Sequence, residues 1–278
     1  MSKPKRPIYA SDTHAWDHCR RQAWFLFHPP SVEPPESDRF HELIKNMGDE
    51  HEAEVMDSFE GAVKAKSITH TKELIAQRTA VIYQPKFRDD ENDLLGTPDF
   101  LLLTDEGYQV ADAKLALSVE KNRAILAQLG IYQRLLANSQ NAAGDEQALP
   151  NPHVFLGDGE AFEVDLEIAE LATQFLRDMQ NLKASEAKPD AHFAYSKCSA
   201  CVFLDLCLDE FESTDDLTLS PAIDARTAAQ LKQQHFETLS SVAQAQPEDI
   251  LEAPFLRNPD KRLRIVQQAQ SLKSGDVI

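Results

Sequence analysis

The spacing of apolar residues changes along the chain, and these changes predict an α/β protein. In residues 39–60 apolar residues recur at helical spacing, whereas residues 97–104 and 107–115 are apolar-rich runs around the turn TDEG. The first pattern is typical of an amphipathic helix and the second of a β-hairpin. By these criteria we predict helices at 11–28, 39–60, 121–137 and 167–184, and strands at 79–88, 97–104, 107–115 and in a hairpin at 153–166.

The pattern changes again after residue 210. Residues 213–221 (STDDLTLSP) are typical of a linker, and residues 222–272 hold short segments with helical spacing. We therefore predict two domains, residues 1–212 with an α/β core and residues 213–278 with a linker and a small all-helical unit.

Composition and charge narrow the class of protein. Of 278 residues, 42% are hydrophobic and 27% are charged, an ordinary globular composition. No apolar run approaches the roughly 20 residues of a membrane span, and the N-terminus lacks the apolar stretch of a signal peptide. We therefore expect a cytoplasmic protein without membrane contact. The net charge of −18 argues against a general nucleic-acid binder but permits a local basic groove.

Three charged residues stand within the predicted hairpin. Asp112 and Lys114 are two residues apart in a strand, so they project from the same face. A two-residue loop at Asp105–Glu106 would place Asp99 opposite Asp112, and a loop at Glu106–Gly107 would place Asp99 opposite Lys114. Either register puts all three charges on one face.

Two carboxylates on one face repel each other unless a cation lies between them. Oxygen ligands of this kind suit Mg²⁺ or Mn²⁺, and such a metal activates water and stabilises charge on a phosphate. This chemistry is suited to phosphodiester hydrolysis. The simpler interpretation is a surface hairpin with an ordinary Asp–Lys ion pair.

Two other predicted helices contribute candidate residues. Gln128 and Tyr132 are four residues apart and share a helix face, and His51 lies on the apolar stripe of residues 39–60. Each also has an ordinary explanation: a partly buried tyrosine beside a solvated glutamine, and a histidine satisfied in the core.

The order of these residues resembles the PD-(D/E)xK nuclease superfamily, and more narrowly its RecB-like exonuclease branch. The resemblance rests on His51, then TPDF with Asp99, then DAK with Asp112 and Lys114, then QLGIYQ with Gln128 and Tyr132. It implies a restriction-endonuclease-like mixed sheet flanked by helices. His51, Asp99 and Asp112 would bind the metal, with the Ala113 carbonyl as a candidate fourth ligand. Lys114 would position the attacking water, and Gln128 and Tyr132 would contact DNA or organise the site. Asp112 stands where many members have Glu.

The cysteines form a second constellation. Cys198, Cys201 and Cys207 lie within ten residues, and Cys19 is far upstream. In a cytosolic protein this favours metal over disulfides, and four thiolates can bind zinc or an iron–sulfur cluster; buried thiols are the simplest alternative. The arrangement resembles the AddB-type helicase–nucleases and the CRISPR-associated RecB-like exonucleases. That resemblance implies a [4Fe-4S] cluster, with zinc as the alternative, that holds the two ends of the nuclease domain together.

The C-terminal region resembles a degenerate helix-hairpin-helix repeat. Its apolar pattern fits, but Gln234–His235 stand where a glycine would allow close approach to a DNA backbone. A packing unit and a DNA clamp both remain open, and the basic residues Lys261, Arg262 and Arg264 suit either DNA contact or a solvated surface.

These patterns together lead to the hypothesis of a metal-dependent DNA nuclease. The resemblance implies an exonuclease that acts on single-stranded DNA or DNA ends in repair, recombination or CRISPR adaptation, with other proteins of those systems as partners. The alternative is a catalytically weak DNA- or partner-binding module in a larger repair complex. A third hypothesis, an iron–sulfur redox protein, has no indicated electron partner.

Overall fold

Helices and strands alternate as far as residue 189, and only helices follow among the described residues beyond it. The computed structural model describes residues 5–31, 39–141, 149–164 and 167–275. The helices are α1 (Thr13–His18), α2 (Arg20–Phe25), α3 (Arg39–Asp57), α4 (Ile68–Ala76), α5 (Arg123–Asn141), α6 (Ile168–Ala184), α7 (Tyr195–Cys198), α8 (Leu204–Ser213), α9 (Ala225–Gln233), α10 (Leu239–Ala243) and α11 (Pro259–Ser274). The strands are β1 (Ile8–Tyr9), β2 (Val63–Lys64), β3 (Val81–Tyr83), β4 (Phe87–Asp89), β5 (Leu94–Gly96), β6 (Phe100–Thr104), β7 (Gly107–Lys114), β8 (His153–Leu156) and β9 (Ala161–Glu163). Within these ranges no helix has the length and apolar character needed to cross a membrane.

The strands form two sheets, and the larger one is mixed. Its order is β2-β3-β6-β7-β8-β9, with β2 parallel to β3, β7 parallel to β8, and the other neighbours antiparallel. The parallel step from β7 to β8 requires a crossover connection, which contains α5. The smaller sheet has the order β1-β5-β4. The prediction of an α/β fold with a mixed sheet is therefore confirmed.

The two faces of the large sheet are covered by different helices. Val55 and Met56 of α3, together with Phe59 in the turn after it, pack against Phe100 and Ala111 on one face. Side chains alternate along a strand, so the neighbours of Ala111 on β7 point to the other face, where α5 packs. Charged residues at alternate positions of β7 therefore lie between the sheet and α5.

α5 is enclosed on all sides over its first half. Every residue from Ala124 to Tyr132 is buried, and α5 packs along α6 as well as on the sheet. The approach of the two helices depends on Gly130, because a Cβ there would lie 2.6 Å from the Ile168 carbonyl oxygen of α6. Since real Cβ atoms do not approach backbone so closely, only glycine permits this helix spacing.

Two predicted elements are each divided in the structure. The predicted helix 11–28 is interrupted at Cys19, whose backbone is extended (φ −161°, ψ 128°), and becomes α1 and α2. The predicted strand 79–88 is divided near Pro85 into β3 and β4, which belong to different sheets. This break agrees with the missing N–H of proline, whereas no proline or glycine accompanies the break at Cys19.

The second compact unit begins at Asp190, earlier than the boundary predicted after residue 212. The reason is local packing: the Phe193 ring contacts the Phe211 ring, and the Phe193 N–H donates to Thr218 Oγ1 at 2.8 Å. Leu217, within the predicted linker, is fully buried in the core of this unit. The cysteine-bearing helices α7 and α8 therefore belong to the helical unit.

The core of the helical unit is formed by the apolar residues of the helix-hairpin-helix-like pattern. Buried or partly buried positions in one cluster include Ile223, Ala228, Leu231, Phe236, Leu239 and Val242. Between α9 and α10, His235 takes a φ of 68°, a left-handed conformation in the position where the resemblance leads one to expect glycine. The hairpin bend is thus retained with a residue that is strained there.

Candidate functional site

The turn of the β6–β7 hairpin determines which residues face each other. Thr104 pairs with Gly107 and Phe100 pairs with Ala111, so the loop consists of Asp105 and Glu106. Continuing this register by one position puts Asp99 opposite Asp112. The first of the two registers left open by the sequence is therefore confirmed.

The carboxyl groups of Asp99 and Asp112 are each held by a backbone N–H of the facing chain segment. The Asp99 N–H donates to Asp112 Oδ1 at 3.2 Å, and the N–H of Ala113 donates to Asp99 Oδ2 at 2.8 Å. Asp112 is only 1% exposed, and Lys114 Nζ forms an ion pair with Asp112 Oδ2. The three predicted charged residues therefore form one compact group at the ends of β6 and β7.

The two carboxyl groups share one positive charge, that of Lys114. Burial and then the Asp112 carboxylate raise the pKa of Asp99 to about 9. Burial alone would lower the pKa of Lys114, but the charges of Asp112 and Asp99 outweigh it and raise that pKa. One ammonium thus faces two buried carboxyl groups, and Asp99 retains its proton near neutral pH.

Gln128 and Tyr132 of α5 form a buried pair beside the carboxyl groups. Gln128 Nε2 donates to Tyr132 Oη at 2.9 Å, and the residues are 5% and 4% exposed. Burial, followed by the charges of Asp112 and Asp99, raises the pKa of Tyr132 well above its ordinary value. Gln128 Oε1 has no protein partner, and reversing the amide would only leave Nε2 unpaired instead. A buried polar atom of Gln128 is therefore available to a group outside the protein.

His51 lies next to this group without joining it. Its Nε2 is 3.1 Å from the carbonyl oxygen of Phe155 on β8, and Phe155 pairs with Ala113 on β7. A carbonyl oxygen only accepts, so Nε2 is the donor in this contact. Among the side chains that the structure describes, no three or more of His, Cys, Asp or Glu converge as a metal-ligand set.

Three polar residues near the site were not identified from the sequence. Gln84 Nε2 donates to Glu52 Oε1 at 2.9 Å and to Tyr83 Oη at 3.1 Å. Burial, and then the hydrogen bond to Glu52, raises the pKa of Tyr83 to about 12. The Glu52 carboxylate also contributes to the raised pKa of Asp99, so it adds negative charge to the site. Its only sequence signal was its position beside His51.

His14 on α1 is a further neighbour that was missed. His14 is partly open to solvent, but the protein around its imidazole ring removes water from it. This desolvation, and then the Lys114 ammonium, lowers the pKa of His14. Asp112 acts on it in the opposite direction, so His14 lies within electrostatic reach of both members of the ion pair. No spacing rule connects α1 with β7, which is why His14 could not be identified from the sequence.

The predicted cysteine ligands are divided between the two units. Cys19 separates α1 from α2 in the first unit, whereas Cys198 ends α7 and Cys207 lies on α8 in the second. The Cys201 N–H donates to the Cys198 carbonyl at 2.9 Å, so a tight turn connects these two. All four cysteines are partly buried and none is in a disulfide. Binding of a [4Fe-4S] cluster by these four cysteines remains a prediction.

Comparison of the sequence with protein-family models and with curated proteins finds no match. The group formed by Asp99, Asp112 and Lys114 and the residues around it are therefore the main indication of function.

Proposed function

We propose that this protein is a metal-dependent DNA nuclease with a restriction-endonuclease-like core of the RecB-like type. The observation that carries the proposal is the arrangement of Asp99, Asp112 and Lys114. Two carboxyl groups are locked together by backbone hydrogen bonds at adjacent strand ends, with a lysine from the same strand on one of them. An ordinary surface ion pair needs neither the second acid nor the burial.

The residues present fit Mg²⁺ or Mn²⁺. Asp99 keeps a proton because it is buried beside Asp112, and a divalent cation would supply the positive charge that the proton now supplies. Mg²⁺ is typically held by one or two carboxylates together with water and substrate phosphate, so a complete cage of protein ligands is not required. Asp99 and Asp112 would hold the ion, and His51 would join through Nδ1 or after leaving the Phe155 carbonyl. When bound, the metal supplies Lewis-acid activation of water and of the phosphodiester.

The protein's own groups have separate tasks in this proposal. Lys114 remains protonated and is fixed by Asp112, so it orients the attacking water or a phosphate oxygen. The Gln128–Tyr132 pair forms the wall behind the acids, and the unpaired atom of Gln128 hydrogen-bonds a ligand atom or water at the reacting phosphate. The two strands and α5 hold all of these groups before substrate binds, which reduces the cost of organising the transition state.

The remaining parts of the proposal follow from the resemblance. The substrate is single-stranded DNA or a DNA end, cut as an exonuclease in DNA repair or CRISPR adaptation. Cys19, Cys198, Cys201 and Cys207 bind a [4Fe-4S] cluster of structural rather than catalytic use. Their four thiolates suit that cluster chemically, and zinc is the alternative occupant.

The proposal is tested by cleavage of end-labelled single- and double-stranded DNA in Mn²⁺, with wild type beside Lys114→Ala. Lys114→Ala should lower the rate by at least about 100-fold, the usual contribution of a positioned catalytic group. Lys45→Ala is the matched control, since Lys45 is exposed on α3 and the charge change is the same. Thermal unfolding of each variant verifies that the fold is retained.

Two results would contradict the assignment. Equal cleavage by Lys114→Ala and wild type would remove Lys114 from the reaction. Absence of Mn²⁺-dependent cleavage by wild type, together with specific DNA binding, would favour the binding-module hypothesis.

A further inference from the structure

A cavity of about 380 Å³ opens beside the acid pair in the first unit. Its wall includes Tyr132, whose pKa is affected by Asp112 and Asp99, and Thr97, which is two residues before Asp99. Two residues of extended chain span at most about 7 Å. The cavity therefore begins within one nucleotide's reach of the proposed reaction centre, and its volume is typical of small-ligand sites.

The cavity has an aromatic side and a basic side. Tyr9 lines it and is 40% exposed, and the Arg6 guanidinium lies 5.2 Å from the centre of the Tyr9 ring. Lys86 lines it as well, and none of the described lining residues is acidic. The Tyr9 ring offers a surface for stacking, and Lys86 offers a cation close to it.

The basic side continues into a smaller cavity of about 100 Å³. Lys86 belongs to both cavities, and the smaller one adds Lys72 and Arg88. Arg88 is paired with Asp90 and Asp93, whereas neither Lys72 nor Lys86 has a carboxylate within ion-pair distance among the described residues. In a chain with a net charge of −18, two adjacent lysines without acidic partners indicate an anionic ligand.

We infer that the larger cavity holds the base of a single-stranded DNA nucleotide next to the scissile phosphate, and that Lys86 and Lys72 contact the phosphates that follow. This inference rests on the proposed nuclease function, because it uses the acid pair to define where the strand is cut. A base inside a duplex is stacked and paired, and it cannot enter a cavity without being extruded. A single strand presents its bases freely, and stacking on aromatic side chains together with a basic path is the usual way such strands are bound.

The test measures DNA binding in the Lys114→Ala background, where cleavage does not interfere. Fluorescence anisotropy in Mg²⁺ compares an oligothymidylate of about 16 nucleotides with a duplex and an oligouridylate of equal length. Tyr9→Leu should weaken binding of the single strand by about 5-fold or more, the lower end of what loss of base stacking causes. Tyr9→Phe retains the ring and should bind like its parent.

Lys86→Ala tests the basic path independently of the aromatic ring. It should weaken binding and reduce the slope of log K against log salt by about 0.7, the value for one phosphate contact with a single strand. Lys45→Ala, on the helix that covers the other sheet face, should leave the slope unchanged. Lys86 is exposed, so its replacement leaves folding intact and the test holds even if Tyr9→Leu is unstable.

The outcomes separate this inference from the proposed function. Unchanged single-strand binding by both Tyr9→Leu and Lys86→Ala would overturn the inference, even where the enzyme cuts DNA in a Lys114-dependent way. Duplex or oligouridylate bound more tightly than oligothymidylate would overturn it also. Weakened binding by both variants supports it. Failure of wild type to cleave would contradict the nuclease proposal and, with both variants weakened, would leave this cavity as a single-strand binding site without a scissile phosphate.

Discussion

Replacement of Asp99 by asparagine separates the electrostatic role of this residue from its shape. The pKa of Asp99 is raised to about 9 by burial and by Asp112, so at about pH 7 the carboxyl group is almost fully protonated. A divalent cation that binds Asp99 must then displace nearly one proton. Apparent Mn²⁺ affinity should therefore rise about tenfold per pH unit, and it should be roughly 100-fold weaker at about pH 7 than above about pH 9.

The assay is calorimetric titration with Mn²⁺ in buffers of different ionisation enthalpy. Wild type should release close to one proton per ion at about pH 7 and almost none above about pH 9. Asp99→Asn should bind Mn²⁺ weakly, without this pH dependence and without proton release. The reasoning is refuted if wild type binds Mn²⁺ at about pH 7 without releasing a proton, or if the variant releases as many.

Asp99→Asn should weaken Mn²⁺ binding, but without metal the same variant should stabilise the fold at alkaline pH. A raised pKa means that the folded state holds a proton which the unfolded chain releases above about pH 4. The contribution of Asp99 to stability is therefore fully present below that pH and is lost as the pH rises through the folded-state pKa of about 9. Asp99→Asn should remove this loss, so its Tm should exceed that of wild type at about pH 8 and approach it at about pH 5. A Tm difference that does not change with pH would contradict the raised pKa.

Three further predictions concern packing, the cysteines and backbone strain. Gly96→Ala places a Cβ 2.5 Å from Leu135 Cδ1, so overpacking should cost about 1–3 kcal/mol in the free energy of unfolding, measured by denaturant titration; an unchanged midpoint would contradict the contact. Wild type purified without oxygen should be brown and contain iron and inorganic sulfide, and Cys201→Ser should lose both; a colourless wild type with bound zinc would refute the iron–sulfur cluster. His235→Gly relieves a φ of 68° and should stabilise the fold by up to about 1 kcal/mol, visible as a higher Tm; a lower Tm would show that the histidine side chain outweighs the strain.

The hairpin shows how far the sequence determines a local structure. The two apolar-rich runs around TDEG predicted both strands, and a two-residue turn limited the register to two choices. The structure selects the loop Asp105–Glu106, because it pairs Thr104 with Gly107. The group formed by Asp99, Asp112 and Lys114 was predictable because all three residues belong to one contiguous pair of strands.

Residues brought to the site by other elements were harder to identify. His14, Glu52 and Gln84 come from α1, α3 and the chain after β3, and no periodicity relates those segments. His51 was identified by resemblance, but its hydrogen bond to the Phe155 carbonyl depends on how α3 packs across the sheet. Long-range placement of this kind follows from packing, which local patterns do not contain.

The boundary between the two units also depends on packing that composition does not reveal. The polar, proline-containing segment 213–221 has the composition of a linker, yet Leu217 within it is fully buried. One apolar residue in a polar segment is enough to anchor it when a neighbouring core has room. Composition averages over such a residue, whereas packing depends on it.

The close contact of Gly130 with α6 fixes the position of α5 in the segment that carries its two site residues. Gly130 stands midway between Gln128 and Tyr132, so a shift of the helix at this point would move both site residues in the same direction. A substitution on α6 near Ile168 that displaced α5 would therefore shift the Gln128–Tyr132 pair relative to the proposed reaction centre. The helix spacing therefore provides a position from which the proposed activity could be adjusted remotely, without altering any residue proposed to contact DNA.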